Sequence, residues 1–364
     1  MRLKKKSPDF LLFAIVLVLL TIGIIMVFSS SAVSAAQEFG DPYYYLKRQL
    51  MWAFLGSLAM IFVMEIDYFR YAKYIELFLI GSFILLGLVL VAGISSHGSS
   101  RWLGVGFLRI QPSEVMKLAM VLFLSKSMSR HPERIQSFSG FIPYLLVLGL
   151  ACGLILYQPD LGSAVVLAGT TYLLFAAGGA RISHLFFLAL AGMALIALAI
   201  IMAPYRMNRF MAFLDPWADP LGDGFQTIQA LLALGSGGLF GLGLGCSRQK
   251  LFWLPARHTD FIYAIIGEEL GFIGAFLVLV LFFLFLWRGY KIAISSPDNF
   301  AGLLSVGITT MIAFQAVINL GVVTGSLPVT GITLPFISYG GSSLIFSLIG
   351  VGILLNISRY ASLK

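Results

Sequence analysis

Ten apolar segments constrain this chain more than any other feature of its sequence, because each is close to the ~20 residues that a helix needs to cross a bilayer. The hydrocarbon core offers no water to backbone polar groups, so such segments form helices. Of all residues, 59% are hydrophobic and 11% are charged. We therefore predict an all-α polytopic membrane protein with about ten transmembrane helices, at 10–30, 49–66, 74–92, 112–128, 140–157, 161–178, 183–203, 261–287, 300–322 and 339–358.

The distribution of lysine and arginine predicts the orientation, because cytoplasmic loops are enriched in basic residues. With a cytoplasmic N-terminus, the inside holds most of the 24 basic residues: Arg2, Lys4, Lys5, Lys6, Arg70, Lys73, Lys126, Arg130, Arg134, Arg181, Arg288, Lys291, Arg359 and Lys364. The short external loops hold only Lys47, Arg48, Arg101 and Arg109. Both termini are predicted to be cytoplasmic, with a large external loop, 204–259, between spans 7 and 8. The net charge of +8 then reflects topology, and we expect no nucleic-acid partner.

The N-terminus also fits a second interpretation, a cleaved signal peptide, because Lys4 to Lys6 precede an apolar run that ends near AVSAA at 32–36. Signal peptides have apolar cores of roughly 7–15 residues, and this run is longer, which favours a retained first span. The chain has no internal repeat and no inserted soluble domain. It is predicted to be a single membrane domain, 1–364.

The sequence gives no signal for a nucleotide, a haem or a disulfide framework. Its two cysteines, Cys152 and Cys246, lie in an apolar segment and in a loop, without metal-ligand spacing. The glycines of 235–250 are not followed by the lysine of a phosphate-binding loop and have no strand–helix context. We expect neither a nucleotide nor a haem.

The stretch WLPARHTDFIYAIIGEELG, 253–271, contains the most unusual ionisable residue. Asp260 lies where a cationic loop meets an apolar segment, and Arg257 lies just before it. On a continuous helix, Asp260, Ala264, Gly267 and Gly271 would form a small-residue stripe that faces other helices. A carboxylate kept beside hydrocarbon is a candidate functional group, because it is costly to keep there. The alternative is structural: Asp260 or Thr259 caps the helix N-terminus.

The external loop before the fourth span supplies more charge. Pro112 is typical of a helix N1 position, so Glu114 and Lys117 should lie three residues apart on one helix face. Such a pair is either a structural ion pair or a charged wall for a substrate. Arg101 and Arg109 lie on the same side and favour the wall.

Two further external segments carry candidate polar groups. Asp160, in the turn YQPDLGSA (157–164), either caps the sixth span or faces a substrate. The segment 321–344, broken by prolines and glycines, predicts a re-entrant or capping loop at 323–338. Within and beside it, Ser338, Tyr339 and Ser342 either bind a sugar or phosphate or satisfy the loop's own backbone.

Five ordered motifs resemble the SEDS proteins (shape, elongation, division and sporulation) along essentially the whole chain. They are QPSEVMKLA at 111–119, QPDLGSA at 158–164, DPWADPLGDGFQTIQALLALGSGGLFGLGLG at 215–245, TDFIYAIIGEELGF at 259–272 and LPVTGITLPFISYGGSS at 327–343. NLGVVTG at 319–325 and LLNISRY at 354–360 are most similar to the division and sporulation members. An end at Lys364, without a long cytoplasmic tail, leans toward the sporulation members.

The resemblance implies a peptidoglycan glycosyltransferase in the bacterial cytoplasmic membrane, which polymerises lipid II on the outer face for a division septum or a spore cortex. Asp260 matches the family's essential aspartate and would be the general base, and Glu114 and Lys117 match its fourth-span pair. Lys117, Arg101 and Arg257 would then bind the lipid diphosphate. A divalent cation, Mg²⁺ or Mn²⁺, would be held by Asp260 and the diphosphate.

The resemblance also implies a class B penicillin-binding protein as transpeptidase partner, together with lipid II, its undecaprenyl diphosphate-linked product and membrane lipid. Two other functions remain open. A lipid II flippase predicts paired half-repeats and a site near the membrane midplane. A non-enzymatic scaffold for the synthase predicts that loss of Asp260 leaves function intact.

Overall fold

The computed structural model describes residues 5–96, 99–105, 108–251 and 253–362. Within them, the helices are α1 Phe10–Phe39, α2 Tyr44–Glu65, α3 Tyr68–Tyr71, α4 Ile75–Ala92, α5 Pro112–Arg130, α6 Phe138–Tyr157, α7 Leu161–Ala177, α8 Ile182–Ile201, α9 Pro204–Leu214, α10 Phe225–Ser236, α11 Ile262–Ile294, α12 Asn299–Val323 and α13 Gly341–Ser358. The strands are β1 Ile94–Ser96, β2 Ser99–Val105 and β3 Leu108–Ile110. Short 3₁₀ helices occur at Pro132–Gln136 and Pro216–Ala218.

Each predicted span coincides with a helix: α1, α2, α4 to α8 and α11 to α13. Eight of these helices are long and apolar enough to cross a bilayer by length and composition. The other two are α7, which has 17 residues, and α5, whose charged side chains lower its hydropathy. The polytopic all-helical membrane architecture is confirmed. Three basic residues used to predict the orientation lie outside the described residues: Arg2, Lys4 and Lys364.

The innermost helices are α5, α12 and α13, and α8 is the most peripheral. Nearly every residue of α5 from Pro112 to Lys126 is buried, so its charged side chains face protein rather than lipid. α12 contacts α5, α7 and α11, and α13 packs along α2. No residue of α8 is buried.

The first helix is longer than its apolar run. α1 starts at Asp9, whose carboxylate accepts a hydrogen bond from the Leu12 amide, and it ends at Gly40 with φ 70°. It packs against α2 and α11, and Arg288 Nε of α11 lies 2.6 Å from Asp9 Oδ2. The N-terminal segment therefore packs as the first helix of the bundle, as predicted for a retained first span.

A small antiparallel sheet stands where the sequence predicted only an external loop. In β1–β2–β3, Ile94 pairs with Trp102 and Leu103 pairs with Ile110. Three short strands that pair only with their sequence neighbours leave little periodic signal, which explains why a prediction based on membrane hydropathy missed them. The sheet positions Arg101 and Arg109 between α4 and α5.

The large external loop is also more structured than predicted, because it contains α9 and α10. α10 packs against the outer part of α11, where Gly237 and Gly267 allow close backbone contact. α11 itself is interrupted at Gly271, where φ is 67° and ψ is −168°. Gly267 of the predicted small-residue stripe thus packs against α10, as expected of a stripe that lets another helix approach closely, and Gly271 packs against the loop after α10.

The last external segment, residues 324–340, contains no helix or strand. It buries Ile332, Leu334, Phe336 and Ile337 against the bundle, as expected of a capping loop held against protein. This loop covers the outer ends of α5, α12 and α13 and completes the candidate site.

Candidate active site

Asp260 lies in a tight turn just outside α11, not on the helix. The amides of Thr259 and Phe261 both donate to the Ala256 carbonyl, at 3.1 and 3.2 Å, and Ala256 has φ 51°. α11 starts at Ile262, and its N-cap, Phe261, has no side-chain capping hydrogen bond. The structural alternative, in which Asp260 or Thr259 caps the helix, is therefore wrong, because the turn ends before the helix begins.

Two side chains outside the turn hold its backbone in place. Asn319 Nδ2 of α12 donates to the carbonyls of Asp260 and Ile332, both at 2.7 Å. Ser338 Oγ donates to the Thr259 carbonyl at 2.6 Å. The main-chain carbonyls of the Asp260 turn thus bind α12 and the capping loop. The Asp260 carboxylate takes no part in these hydrogen bonds.

The capping loop approaches the carboxylate through a glycine. Gly331 has φ 75°, a conformation that side chains other than glycine rarely adopt. A Cβ at this position would lie 3.8 Å from Asp260 Oδ2. Glycine therefore gives the loop its turn and keeps the space beside the carboxylate open.

Burial raises the pKa of Asp260 to about 6. The positive charges of Arg101 and Arg209 oppose this rise, and the negative charge of Asp160 adds to it. No side chain among the described residues forms a hydrogen bond or a salt bridge with the Asp260 carboxylate. It is therefore a carboxylate that is ionised at neutral pH and still basic enough to accept a proton.

Arg101 and Asp160 form one unit beside Asp260. Arg101 Nη1 lies 3.8 Å from Asp160 Oδ1, and the guanidinium also donates to the carbonyls of Gln158 and Pro159. Asp160 accepts from the Ser163 amide at 3.0 Å, so it caps α7. The capping alternative for Asp160 is confirmed, and any contact of its carboxylate with substrate stays a prediction.

Glu114 and Lys117 are a buried ion pair on α5, with Lys117 Nζ 2.8 Å from Glu114 Oε1. Lys117 also donates to Gln315 Oε1 at 2.6 Å, and Gln315 Nε2 donates to the Thr333 carbonyl at 3.1 Å. The predicted pairing is confirmed. Because Gln315 and Asn319 are four residues apart on α12, one helix face connects the ion pair to the Asp260 turn through the capping loop.

In the described part of the chain, Arg257 and His258 form no hydrogen bond or salt bridge with the Asp260 carboxylate. Arg257 is buried, and its guanidinium donates to the Leu254 carbonyl. Burial lowers the pKa of Arg257, while the negative charge of Glu38 opposes the shift. Burial lowers the pKa of His258 to about 4, with help from Arg257, so the imidazole is neutral at pH 7. The charges acting on Asp260 are those of Arg101 and Arg209 rather than Arg257.

The remaining predicted polar groups bond mainly to backbone. Ser338 Oγ also accepts from the Leu334 amide, and Ser342 Oγ donates to the Arg109 carbonyl at 3.1 Å. The Tyr339 amide donates to the His258 carbonyl, and its ring packs against Tyr45. Ser338 and Ser342 therefore satisfy loop backbone, which was one of the two predicted alternatives.

Three cavities lie around this turn. The largest, about 510 Å³, is lined by Thr259 and by aromatic and cationic side chains: Tyr44, Tyr45, Arg48, Trp52, Trp102, Arg109, His258 and Tyr339. A second of about 230 Å³ lies against Arg209, Pro255 and Val329. A narrow third, about 50 Å³, connects Arg101 and Arg209 beside Thr330. Aromatic faces with arginines suit a sugar that carries anionic groups.

Sequence reasoning gave no role to three of the residues that build the site: Arg48, Gln315 and Asn319. The side-chain amides of Gln315 and Asn319, four residues apart in an otherwise apolar span, were a usable signal. Buried amide side chains in a membrane helix need hydrogen-bond partners. Arg209 was expected to be one of several external-loop cations available to anions, but its position near Asp260 depends on how α9 folds back.

The fold and the site together define a polytopic membrane protein with a partly buried external carboxylate between arginines. The chain belongs to the family whose model is described as FTSW_RODA_SPOVE, Cell cycle protein, which matches residues 9–363. It is 52% identical to Stage V sporulation protein E of Bacillus subtilis (strain 168), over 99% of this chain and 100% of that protein. It is 44% identical to the probable peptidoglycan glycosyltransferase FtsW of Trichlorobacter lovleyi, over 96% of this chain and 93% of that protein.

Solved structures agree with this assignment. A chain from the work "Structural coordination of polymerization and crosslinking by a peptidoglycan synthase complex" superposes with a TM-score of 0.81 at 33% identity, covering 97% of this chain and 98% of that one. The rod shape determining protein RodA of Thermus thermophilus gives a TM-score of 0.74 at 31% identity, covering 98% and 99%. The chain is thus similar over its full length to proteins of the cell-wall machinery.

Proposed function

We propose that this protein is a peptidoglycan glycosyltransferase that polymerises lipid II on the outer face of the cytoplasmic membrane. The observation that carries the proposal is the Asp260 carboxylate, which the fold buries in part, surrounds with Arg101 and Arg209, and leaves without a partner among the described side chains. Its family relatives include proteins named as peptidoglycan glycosyltransferases.

Asp260 acts as the general base in this proposal. It accepts the proton of the acceptor 4-hydroxyl as that oxygen forms a bond to the anomeric carbon of the donor. The bond from this carbon to the diphosphate oxygen breaks, and the lipid diphosphate leaves with the electron pair. Direct displacement inverts an α-linked donor to a β-linked product. A positioned base of this kind contributes about 10²–10⁴-fold to the rate.

The leaving diphosphate requires positive charge that is already in place. Arg101 and Arg209 line the narrow cavity beside Thr330 and are the cations that act on Asp260, so we assign the diphosphate to them. Lys117 is neutralised by Glu114 and bound to Gln315, so we assign it to holding the capping loop, through which it supports the site.

The residues present fit a divalent cation only if the substrate supplies most of its ligands. The described residues contain no group of three His, Cys, Asp or Glu side chains that could hold a metal ion, and Asp160 already caps α7. Mg²⁺ in proteins is commonly held by one or two carboxylates and substrate phosphates. Asp260 and the diphosphate would therefore hold Mg²⁺ or Mn²⁺, which would neutralise the leaving group.

The geometry favours polymerisation over the two other functions. A flippase needs its site near the midplane. Here Asp260 lies outside α11, and Glu114 and Lys117 lie in the first two turns of α5 at its outer end. A scaffold has no use for an unpartnered carboxylate, since such a group costs free energy and binds nothing.

The described residues form a membrane domain, so we propose that the transpeptidase is another chain. We assign this role to a class B penicillin-binding protein, in accord with a structural relative from a peptidoglycan synthase complex. The outer segment packs on α11 through α10, and Arg209 of α9 acts on Asp260, so a partner bound to this segment would act on the site directly.

The test is polymerisation of labelled lipid II by the purified protein, read as glycan length on a gel, with and without a partner whose transpeptidase serine has been removed. We expect short or sparse product alone and a clear gain with the inactive partner. Asp260→Asn should give no polymer in either lane. Chelation followed by addition of Mg²⁺ or Mn²⁺ tests the cation separately, and full-length glycan from Asp260→Asn would rule out the proposed base.

A further inference from the structure

The segment 237–251, named here the interfacial segment, is joined to α11 at the point where that helix is interrupted. The amides of Phe272 and Ile273 donate to the carbonyls of Gly238 and Leu239, at 2.8 and 3.2 Å. In return, Leu242 and Gly243 donate to the carbonyls of Glu268 and Glu269, both at 3.0 Å. The backbone groups released by the Gly271 break are thus satisfied by this segment, as a break at membrane depth requires.

Buried side chains fix the other end of the segment. Lys250 Nζ lies 2.8 Å from Glu269 Oε1, and Glu269 also accepts from Ser29 Oγ of α1. Ser247 Oγ and the Arg248 amide donate to the Glu268 carboxylate. The segment is therefore attached to both α1 and α11.

The depth of this attachment follows from helix geometry. Ser29 lies twenty residues along α1 from Asp9, which at 1.5 Å per residue is about 30 Å. Asp9 pairs with Arg288, and Ser29 pairs with Glu269, so both helices place these two polar contacts about one hydrocarbon thickness apart. With Asp9 and Arg288 at the inner boundary, Ser29, Glu269 and the interfacial segment lie at the outer boundary.

The side chains of the segment agree with this depth. Phe240 is 80% exposed, and Leu239, Leu242, Leu244 and Leu251 are also exposed. Five large apolar side chains in fifteen residues would be unfavourable in water, since exposed apolar surface is costly to hydrate. Their exposure and the depth of the attachment together indicate that the segment lies in the outer leaflet.

A cleft of about 760 Å³ separates the segment from α1. One wall is apolar and contains Ile25, Phe28 and Val33, and the other contains Leu244 and Leu251.

Arg248 and Lys250 line this cleft. Among the described residues, no Asp or Glu lines the cleft. The charge of Lys250 is balanced by Glu269, whereas Arg248 is exposed and its guanidinium forms no ion pair with the described residues. The cleft therefore offers an apolar channel with the exposed Arg248 guanidinium at head-group level, while the carboxylates of Glu268 and Glu269 are buried behind the segment.

We propose that this cleft binds an anionic phospholipid of the outer leaflet, with its acyl chains against Ile25 and Phe28 and its phosphate or head group at Arg248. A zwitterionic lipid fits the apolar walls equally well but leaves the charge of Arg248 less well matched. One basic contact at a membrane surface gives a preference of about fivefold for an anionic lipid. The site is separate from the reaction and would couple lipid composition to the position of the external loops.

Cys246 lines the cleft and supplies a probe. The full chain, with Cys152→Ala to leave a single cysteine, is labelled at Cys246 with a small fluorophore and placed in phosphatidylcholine nanodiscs. Dibrominated phosphatidylglycerol and dibrominated phosphatidylcholine are compared as quenchers at equal fractions. We expect both to quench, with about fivefold stronger local enrichment of the anionic lipid. Arg248→Gln should abolish that preference and keep the quenching, whereas Arg181→Gln, an exposed cation at the start of α8, should change neither.

Two results would overturn the proposal on lipid choice: equal quenching by both lipids in the parent protein, or recovery of fluorescence by stoichiometric undecaprenyl phosphate, which would assign the cleft to the substrate lipid. Efficient quenching by aqueous iodide with none by brominated lipid would place the segment in water and refute its depth. Native mass spectrometry of the unlabelled chain, with and without Arg248→Gln, checks that the fluorophore itself does not create the preference.

Discussion

Replacing the proposed base should make the protein more stable while abolishing its activity. An aspartate ordinarily has a pKa of 3.8, and burial raises that of Asp260 to about 6. The folded state therefore binds this proton more tightly than the unfolded state does. The contribution of the group to stability is full below pH 3.8 and is lost as the pH rises through 6.

The magnitude follows from the size of this shift. Each pKa unit corresponds to about 1.36 kcal/mol, so a rise of about two units means that the ionised carboxylate destabilises the fold by about 3 kcal/mol at neutral pH. Asp260→Asn removes the ionisation and keeps the shape. We expect its free energy of unfolding to exceed that of the parent by up to about 3 kcal/mol at pH 7.5, and by almost nothing at pH 3.

The assay is thermal unfolding in detergent micelles at a series of pH values, with polymerisation measured on the same samples. The midpoint of Asp260→Asn should lie a few degrees above the parent at pH 7.5, and the two curves should meet near pH 3. The parent's polymerisation should fall about tenfold per pH unit below 6 as Asp260 takes up its proton.

The matched control is Asp41→Asn. Lys47 holds the pKa of Asp41 below its usual range, so removing this charge should give no gain in stability at pH 7.5. An Asp260→Asn midpoint equal to the parent's at pH 7.5, or a gain that is the same at pH 3 as at pH 7.5, would refute the reasoning from burial.

Three other substitutions test the supports of the site. Lys117→Met leaves Glu114 charged and buried, so it should cost about 3–5 kcal/mol of unfolding free energy in chemical denaturation, whereas adding Glu114→Gln should recover most of the stability but not the polymerisation. Asn319→Leu leaves the carbonyls of Asp260 and Ile332 without their donor, so it should lower the free energy of unfolding by about 2–5 kcal/mol and slow polymerisation at least tenfold. Normal turnover would show that the Asp260 turn keeps its position without Asn319. Gly271→Ala places a Cβ 2.3 Å from a backbone nitrogen at φ 67° and should lower the unfolding midpoint strongly, whereas Gly87→Ala, with nothing within 4 Å, should not.

The membrane architecture was predictable because its cause is local. A membrane span is recognisable from about twenty consecutive apolar side chains, and this signal does not depend on which helices pack against it. The Glu114 and Lys117 pair was predictable for the same reason, since a three-residue spacing on a helix fixes the contact. The same holds for Asp160, which caps the helix that starts at the next residue.

The surroundings of Asp260 were not predictable, because they come from segments far apart in the chain. Arg101 follows α4, Arg209 lies on α9, and Asn319 lies on α12. Arg257, although only three residues away, faces Glu38 instead. A residue close to Asp260 in sequence need not have its side chain at the site, because the backbone of the turn decides where the side chain points.

The break in α11 at Gly271 was not predictable for the same reason: its cause lies in a distant segment. Residues 262–294 read as one apolar helix, and nothing in their periodicity marks a residue with positive φ. The break exists because the segment 237–251 supplies partners for the released backbone groups, and that segment becomes visible only when the external loop is folded. A glycine in an apolar helix was a weak signal for it.

The polar groups around Asp260 differ in what they have left to offer a substrate. Ser338, Asn319 and Gln315 use their donors on the backbone of the Asp260 turn and the capping loop, and Lys117 uses its charge on Glu114. The Asp260 carboxylate, in contrast, has no hydrogen bond or salt bridge to a side chain of the described residues. A fold that satisfies the neighbours and leaves one carboxylate without a partner stores free energy at the place where a proton must be accepted. The stability gained by removing that carboxylate and the activity lost with it therefore have one physical cause.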